Sequence, residues 1–582
     1  MKQLIALVCL LLMQLGISNT NATDRTTEWN ALVDDYLEKV YFPENPTAAT
    51  AAGIHRYDGQ IEDYSREAAN EEIRTLHKFE ARILQFSAEG LRAVDAADRQ
   101  ILLGIVRSEL LTLETIRPLE KNPDTYSSGI SNSVYVLMNR KFAPASERLR
   151  SVIERERKMP EALKLAKQNL TDAPKVYTDI AIEQLPGIIG FFEKDVPSAF
   201  TEVKDPDLNR EFAKTNAAVI TALKEYGVWL KTDLVFNSMG DFRIGPEAFS
   251  KKLLYEDMVS TPLDQLLAVG TADLHKNQAE FKQVAKEIDP KKKPADVMKE
   301  LALMHPAPDQ LLATFRGTFD GLITFIQEKK IITIPAGPKP IVQETPPFER
   351  ATTTASMDTP GPFETVAKES YFNVTLPGAH DSIEEIASLM AGFNVGTIVS
   401  TSTHETYPGH YIQYLWTPRF PTKLRQAFYA NTNSEGWAHY CEQMMLDEGY
   451  GQPGTGAKDG REAKYIRLGQ LQDALLRDAR FVVGIQMHTG KMSFVQAKEY
   501  FVKEGYQSSK IAEIEAKRGT SDPTYLYYTL GKLQILKLRE DYKKKMGAGF
   551  TLQKFHDEFM GQGAPPIAVV REAMLGDGSP VL

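Results

Sequence analysis

SREAANEEIRTLHKFEARILQFSAEGLRAVDAADRQILLGIVRSELLTLETIRP, residues 65–118, is the stretch on which the fold class turns. Leu, Ile, Val and Ala recur there at helical spacing among Glu and Arg, with almost nothing to break the pattern. Segments 144–170, 207–233 and 263–288 read the same way. Residues 23 to about 330 are therefore expected to be helix after helix, with their charged faces in solvent.

The character changes after Lys330. Ile331-Ile332-Thr333-Ile334 is a β-prone run. Prolines 335, 338, 340, 346, 347, 360 and 362 follow, with Thr352-Thr353-Thr354 among them, so continuous helix is excluded. Tyr371-Phe372-Asn373-Val374-Thr375-Leu376 is a second strand candidate. The β-branched and aromatic content favours a small sheet or hairpin over 331–377 rather than a flexible tether. Helix resumes at Ser382, which has the spacing of a capping box with Glu385. The expectation is a mostly α, multi-helical, two-lobed fold around a cleft. Its parts are a leader (1–22), an N-terminal helical region (23–330), the β segment (331–377) and a C-terminal helical catalytic region (378–582).

A chain of 582 residues exceeds one ordinary core. It is 42% hydrophobic and 25% charged, ordinary for a globular enzyme, and its net charge of −9 argues against nucleic acid or anionic membrane as main partner. Lys2, an apolar run from Leu4 to Ile17 and small residues up to Ala22 have the form of a secretory signal cleaved near Ala22. An exported, periplasmic location without a membrane span follows as an expectation. Cys9 would leave with the leader. Ala6-Leu7-Val8 before it lack the small residue that usually precedes a lipidated cysteine. Cys441 would then stand alone, without an intramolecular disulfide.

Three of the ten histidines, His404, His410 and His439, fall in one short window with Glu405, Glu435 and Glu442. Two imidazoles and a carboxylate suit catalytic zinc, with the fourth position open to water. A carboxylate beside one of the histidines can take the water's proton and deliver it to a leaving amine. In His404-Glu405-Thr406-Tyr407-Pro408-Gly409-His410 the histidines stand six apart, not the usual four. On a straight helix they would point about 120° apart. Pro408 forbids that helix, because its ring meets the carbonyl of His404, and Gly409 permits the resulting turn. The break is expected to return His410 to the metal. In Ser434–Glu442, Glu435, His439 and Glu442 share one helical face. Glu435, on the first turn, is the third ligand, and His439 and Glu442 would orient the ligands from behind.

HETYPGH followed by SEGWAHYCE resembles the domain-of-unknown-function family 885, a set of mainly bacterial, often exported, predicted zinc metallopeptidases. The resemblance begins at Gly53-Ile-His-Arg-Tyr-Asp58 and runs to the segment Pro523–Arg539. It implies a mostly helical fold, zinc on His404, His410 and Glu435, and Glu405 as general base. It also implies a role for Tyr528, which matches a tyrosine three residues before a glycine and would serve an oxyanion. His488 is the second candidate for that catalytic donor role, and it matches a histidine that in relatives often follows an aspartate four residues earlier. Here that position is Gly484. Arg518 and Arg539 are candidates for binding a peptide carboxylate.

Three readings follow. The leading one is an exported zinc peptidase acting on short peptides in a cleft, with an exposed strand edge of 331–377 pairing with substrate backbone. The second is a metal-dependent hydrolase of a non-peptide amide. The third is a non-enzymatic exported metal- or ligand-binding protein, against which Glu405 argues, since a structural site needs no spare carboxylate.

Overall fold

The computed structural model describes residues 25–345, 350, 353–378 and 381–582. The leader with Cys9 lies outside them, as do Pro346, Pro347 and Thr352. Stretch 65–118 forms two helices, Arg66–Gln85 and Ala93–Leu111. Ser65 caps the first by accepting from the Ala68 N–H, and Gly90, at φ +78°, helps turn the chain between them. Helices Ala145–Glu156, Met159–Asn169, Pro206–Trp229 and Leu263–Ile288 occupy the other three segments.

The β segment is a three-stranded sheet of β1 (Ile341–Glu344), β2 (Ala355–Asp358) and β3 (Tyr371–Val374), in the order β1-β3-β2. β1 runs parallel to β3, with Ile341 opposite Tyr371, and β2 runs antiparallel, with Asp358 opposite Tyr371. The protein is thus mostly helical with a small sheet. Ile331–Ile334 is not one of its strands, which corrects the sequence expectation. Side chains take the place of a neighbouring strand there. The Ile331 carbonyl accepts from His556 Nδ1, the Thr333 carbonyl from Trp416 Nε1, and the Thr333 N–H donates to Asp557. Ile331 and Ile332 are buried in the core instead. On the sheet, Phe372 packs edge-on against Phe315 of helix Leu311–Lys329.

The capping box at Ser382 and Glu385 is present and starts helix Ile383–Gly392. Helices then run to Leu575. Phe319, Phe372, Tyr407, Tyr411, Trp437 and Phe559 share one core, so the sheet and the motif segments are a single packed body. Three buried aspartates of the first 300 residues also hold C-terminal helices. Asp98 pairs with Arg425 (2.7 Å), Asp257 accepts from the N–H and hydroxyl of Thr432, and Asp273 pairs with Lys532 (2.8 Å). Cys441 is buried and unpaired. Among the described residues no helix is long and apolar enough to cross a membrane.

Candidate metal centre

The helix that carries His404 and Glu405, Val395–Glu405, ends where Pro408 requires, and a new helix, His410–Trp416, begins at the second histidine. The Tyr407–Pro408 peptide is cis. The turn between the helices is very tight. A Cβ on Gly409 would stand 1.8 Å from the His404 carbonyl oxygen, while the Gly409 N–H donates to Thr403 O at 3.0 Å. Only glycine fits there. Tyr407 is buried against Phe319, and Trp437 Nε1 donates to the Pro408 carbonyl (2.9 Å), so the second motif holds the first in place.

Glu435 lies on helix Asn431–Asp447, which begins a few residues earlier than expected and so places this carboxylate one turn in. That helix crosses helix Tyr527–Met546 at Gly436 and Gly531. A Cβ on Gly531 would stand 1.9 Å from Thr432 O, so the two backbones touch. The contact fixes Glu435 and Tyr528 relative to each other.

Three of the expected residues, His404, His410 and Glu435, are brought together. His404 Nε2 and His410 Nε2 each lie 3.4 Å from Glu435 Oε2, and the rings stand nearly perpendicular with centres 4.8 Å apart. Donor atoms on a tetrahedral zinc at about 2.0–2.1 Å stand roughly 3.3 Å apart, so the spacing fits. Glu435 Oε2 is itself a buried oxygen with no hydrogen-bond partner, as an atom awaiting a cation would be. Electrostatics agree. Burial opposes charge on His404, yet Glu435 and Glu442 outweigh it and raise its pKa to about 10. Burial likewise opposes charge on Glu435, but His410 and His404 hold its carboxyl well below the usual range. The two shifts express one attraction, in which the imidazoles and the Glu435 carboxylate stabilise each other's charged forms. Glu405, next to His404 in the chain, has its pKa raised by burial, with His404 and His410 pulling the other way.

Glu442 lies directly behind the cluster. Its Oε1 accepts from His404 Nδ1 at 2.7 Å, which leaves Nε2 of that ring facing Glu435 and His410. Oε2 accepts from His439 Nδ1 (3.3 Å), and Arg477 Nη2 stands 3.2 Å from Oε1. Burial lowers the pKa of His439 to about 3, so this ring is neutral. Arg477 was not foreseen from sequence. Its only signal is a charged residue in a helix, Gly460–His488, that is buried over most of its surface.

Tyr528 reaches the site. Its ring lies over His404 with centres 6.4 Å apart, and burial raises its phenol. Arg518 Nη2 donates to the Tyr528 hydroxyl (3.3 Å). His488 and Arg539 are held elsewhere. His488 Nε2 donates to the Gly519 carbonyl (2.7 Å), Nδ1 accepts from the Ile244 N–H, and burial lowers its pKa to about 4. Both ring nitrogens thus serve backbone, consistent with the missing aspartate at Gly484. Arg539 donates to the Tyr440 hydroxyl, which itself contacts His556.

Fold and site together define a large helical protein with a partly buried two-histidine, one-carboxylate cluster that could hold a metal ion. The chain belongs to the family described as "Bacterial protein of unknown function (DUF885)", which matches residues 46–574. Among solved structures it is similar to a putative lipoprotein of unknown function from Shewanella oneidensis, at 24% identity and TM-score 0.76, over 94% of this chain and 98% of that one. A putative lipoprotein from Colwellia psychrerythraea is similar at 16% identity and TM-score 0.71, over 96% and 98%. These likenesses show the fold. No curated protein matches the sequence.

Proposed function

We propose that this chain is an exported zinc-dependent peptidase that hydrolyses short peptides. The observation that carries the reading is the convergence of His404 Nε2 and His410 Nε2 on Glu435 Oε2, a buried oxygen that makes no hydrogen bond, with Glu405 next to His404 in the chain. His404, His410 and Glu435 would hold one zinc ion, which when bound supplies Lewis-acid polarisation of the carbonyl and of the attacking water.

The chain's own residues do the rest. Glu405 takes the proton of the attacking water and passes it to the leaving nitrogen, and the burial that raises its pKa makes the carboxylate a stronger base. The Tyr528 hydroxyl donates to the oxyanion that develops on the substrate. Glu442 keeps His404 in the required tautomer. β2 is an edge strand beside helix Val395–Glu405, so its unpaired side can pair with an extended peptide. The N-terminal helices would close the other wall of the cleft. Export rests on the leader at Met1–Ala22 and agrees with the lack of a membrane-crossing helix among the described residues.

The test is Glu405→Gln assayed on a peptide library, with metal content measured in parallel. The variant should keep its zinc and lose turnover by about 10²–10⁴-fold. Equal turnover in both proteins would remove the general base. Turnover of amides other than peptides alone would move the reading to that class.

A further inference from the structure

Four arginines stand near the cluster or were candidates for substrate binding, and the structure separates them. Arg480 is buried and bidentate to Glu515, at 2.6 and 2.8 Å. Arg477 is committed to Glu442 and the Asp473 carbonyl. Arg539 is held by the Tyr440 hydroxyl. Arg518 differs. Its side chain is 37% exposed, and its carboxylate partner Asp522 meets it through one oxygen only, at 3.2 and 3.4 Å. Tyr527 also donates to that oxygen (2.9 Å), so the charge of Asp522 is shared. Nη1 of Arg518 has no hydrogen-bond partner among the described residues.

Arg518 is also tied to the chemistry. Its Nη2 donates to the hydroxyls of Tyr527 (3.2 Å) and Tyr528 (3.3 Å), and its guanidinium carbon lies 5.8 Å from the centre of the Tyr528 ring. That ring is 6.4 Å from the ring of His404. The guanidinium is therefore within about 12 Å of the metal ligand, a span of roughly three residues of extended chain at most. A planar cation with a free edge, one to three residues beyond the scissile bond, is matched by a carboxylate.

We infer that Arg518, positioned by Tyr527 and Tyr528, binds the free C-terminal carboxylate of the substrate, so that the protein removes one to three residues from the C-terminal end of short peptides. This rests on the peptidase reading and adds a direction to it. It also explains why Arg518 contacts the tyrosine assigned to the oxyanion: a bound carboxylate would draw on the guanidinium that now holds the Tyr528 hydroxyl, coupling occupancy of the subsite to the freedom of that hydroxyl.

The test separates binding from turnover. Calorimetric titration of zinc-loaded Glu405→Gln protein with an N-acetyl-dipeptide acid and with its C-terminal amide should show the acid binding at least tenfold tighter, about 1.4 kcal/mol. Adding Arg518→Ala should abolish the difference, whereas a purely structural role would weaken both ligands alike. Equal binding of acid and amide overturns the inference, and this comparison needs no Arg518 variant to fold. A C-terminal amide carrying a glutamate side chain is the third ligand. Binding as tight as the free acid would mean that a side-chain carboxylate is read, and the C-terminal assignment falls. Wild-type digests then address the parent reading. Cleavage confined to the last three bonds supports the inference, and cleavage throughout long peptides contradicts it. Acid selectivity with no cleavage of any peptide would uphold Arg518 as a carboxylate subsite and sink the peptidase reading alone.

Discussion

His404 is flanked by two carboxylates with separate duties. Glu405 is its neighbour in sequence and the proposed general base, while Glu442 is distant in sequence and holds its Nδ1 at 2.7 Å. Glu442 also carries Arg477 and His439, so its loss would leave two buried partners unanswered. Glu442→Ala is expected to weaken zinc binding by about 10–100-fold, measured by competition with a chelator. Residue chemistry was the most legible part of the sequence, because a histidine–glutamate pair and a Glu-x-x-x-His-x-x-Glu face have few other uses. His404, His410 and Glu435 offer donor atoms within 4.8 Å of one another, and Glu442 meets His404 Nδ1. Arg477 and Asp257 were not legible. Each acts through one partner far away in sequence, and a lone charged residue in a helix does not say what it will face.

At the scale of elements, two close contacts set the site. The Pro408-Gly409 break was readable from steric rules, since a helix cannot pass Pro408, and the observed fit of Gly409 against the His404 carbonyl leaves no room for a side chain. The crossing at Gly436 and Gly531 was not readable, because nothing local marks a glycine in a helix as a meeting point with another. Gly531→Ala should push the two helices apart and destabilise the fold by about 1–3 kcal/mol, seen as a lowered denaturant midpoint, with Glu435 and Tyr528 displaced and zinc affinity reduced. Unchanged stability and affinity would deny that the contact sets the site. Ile331–Ile334 teaches the reverse lesson. Its β propensity was read correctly, but propensity cannot show that His556, Trp416 and Asp557 will take the backbone groups a neighbouring strand would use.

Across the whole molecule, the resemblance at Gly53–Asp58 acquires a physical sense. His55 lies stacked on Phe142 and bridges Asp58 (3.2 Å) and Glu364 (3.0 Å), joining the N-terminal helices to the segment between β2 and β3. Burial opposes its charge, but the two carboxylates outweigh burial and raise its pKa above 6.5. Its contribution is thus complete below about pH 6.5 and is lost as pH rises through the raised value. His55→Gln should therefore lower the thermal midpoint clearly at pH 6 and much less at pH 9; an equal loss at both would show that charge plays no part. The proposed activity depends on the metal centre. Its most direct test is anomalous diffraction at the zinc edge from crystals of zinc-loaded protein. A single strong peak about 2.0–2.2 Å from His404 Nε2, His410 Nε2 and a Glu435 carboxylate oxygen is predicted. No peak there, or zinc bound only at other residues, would contradict it.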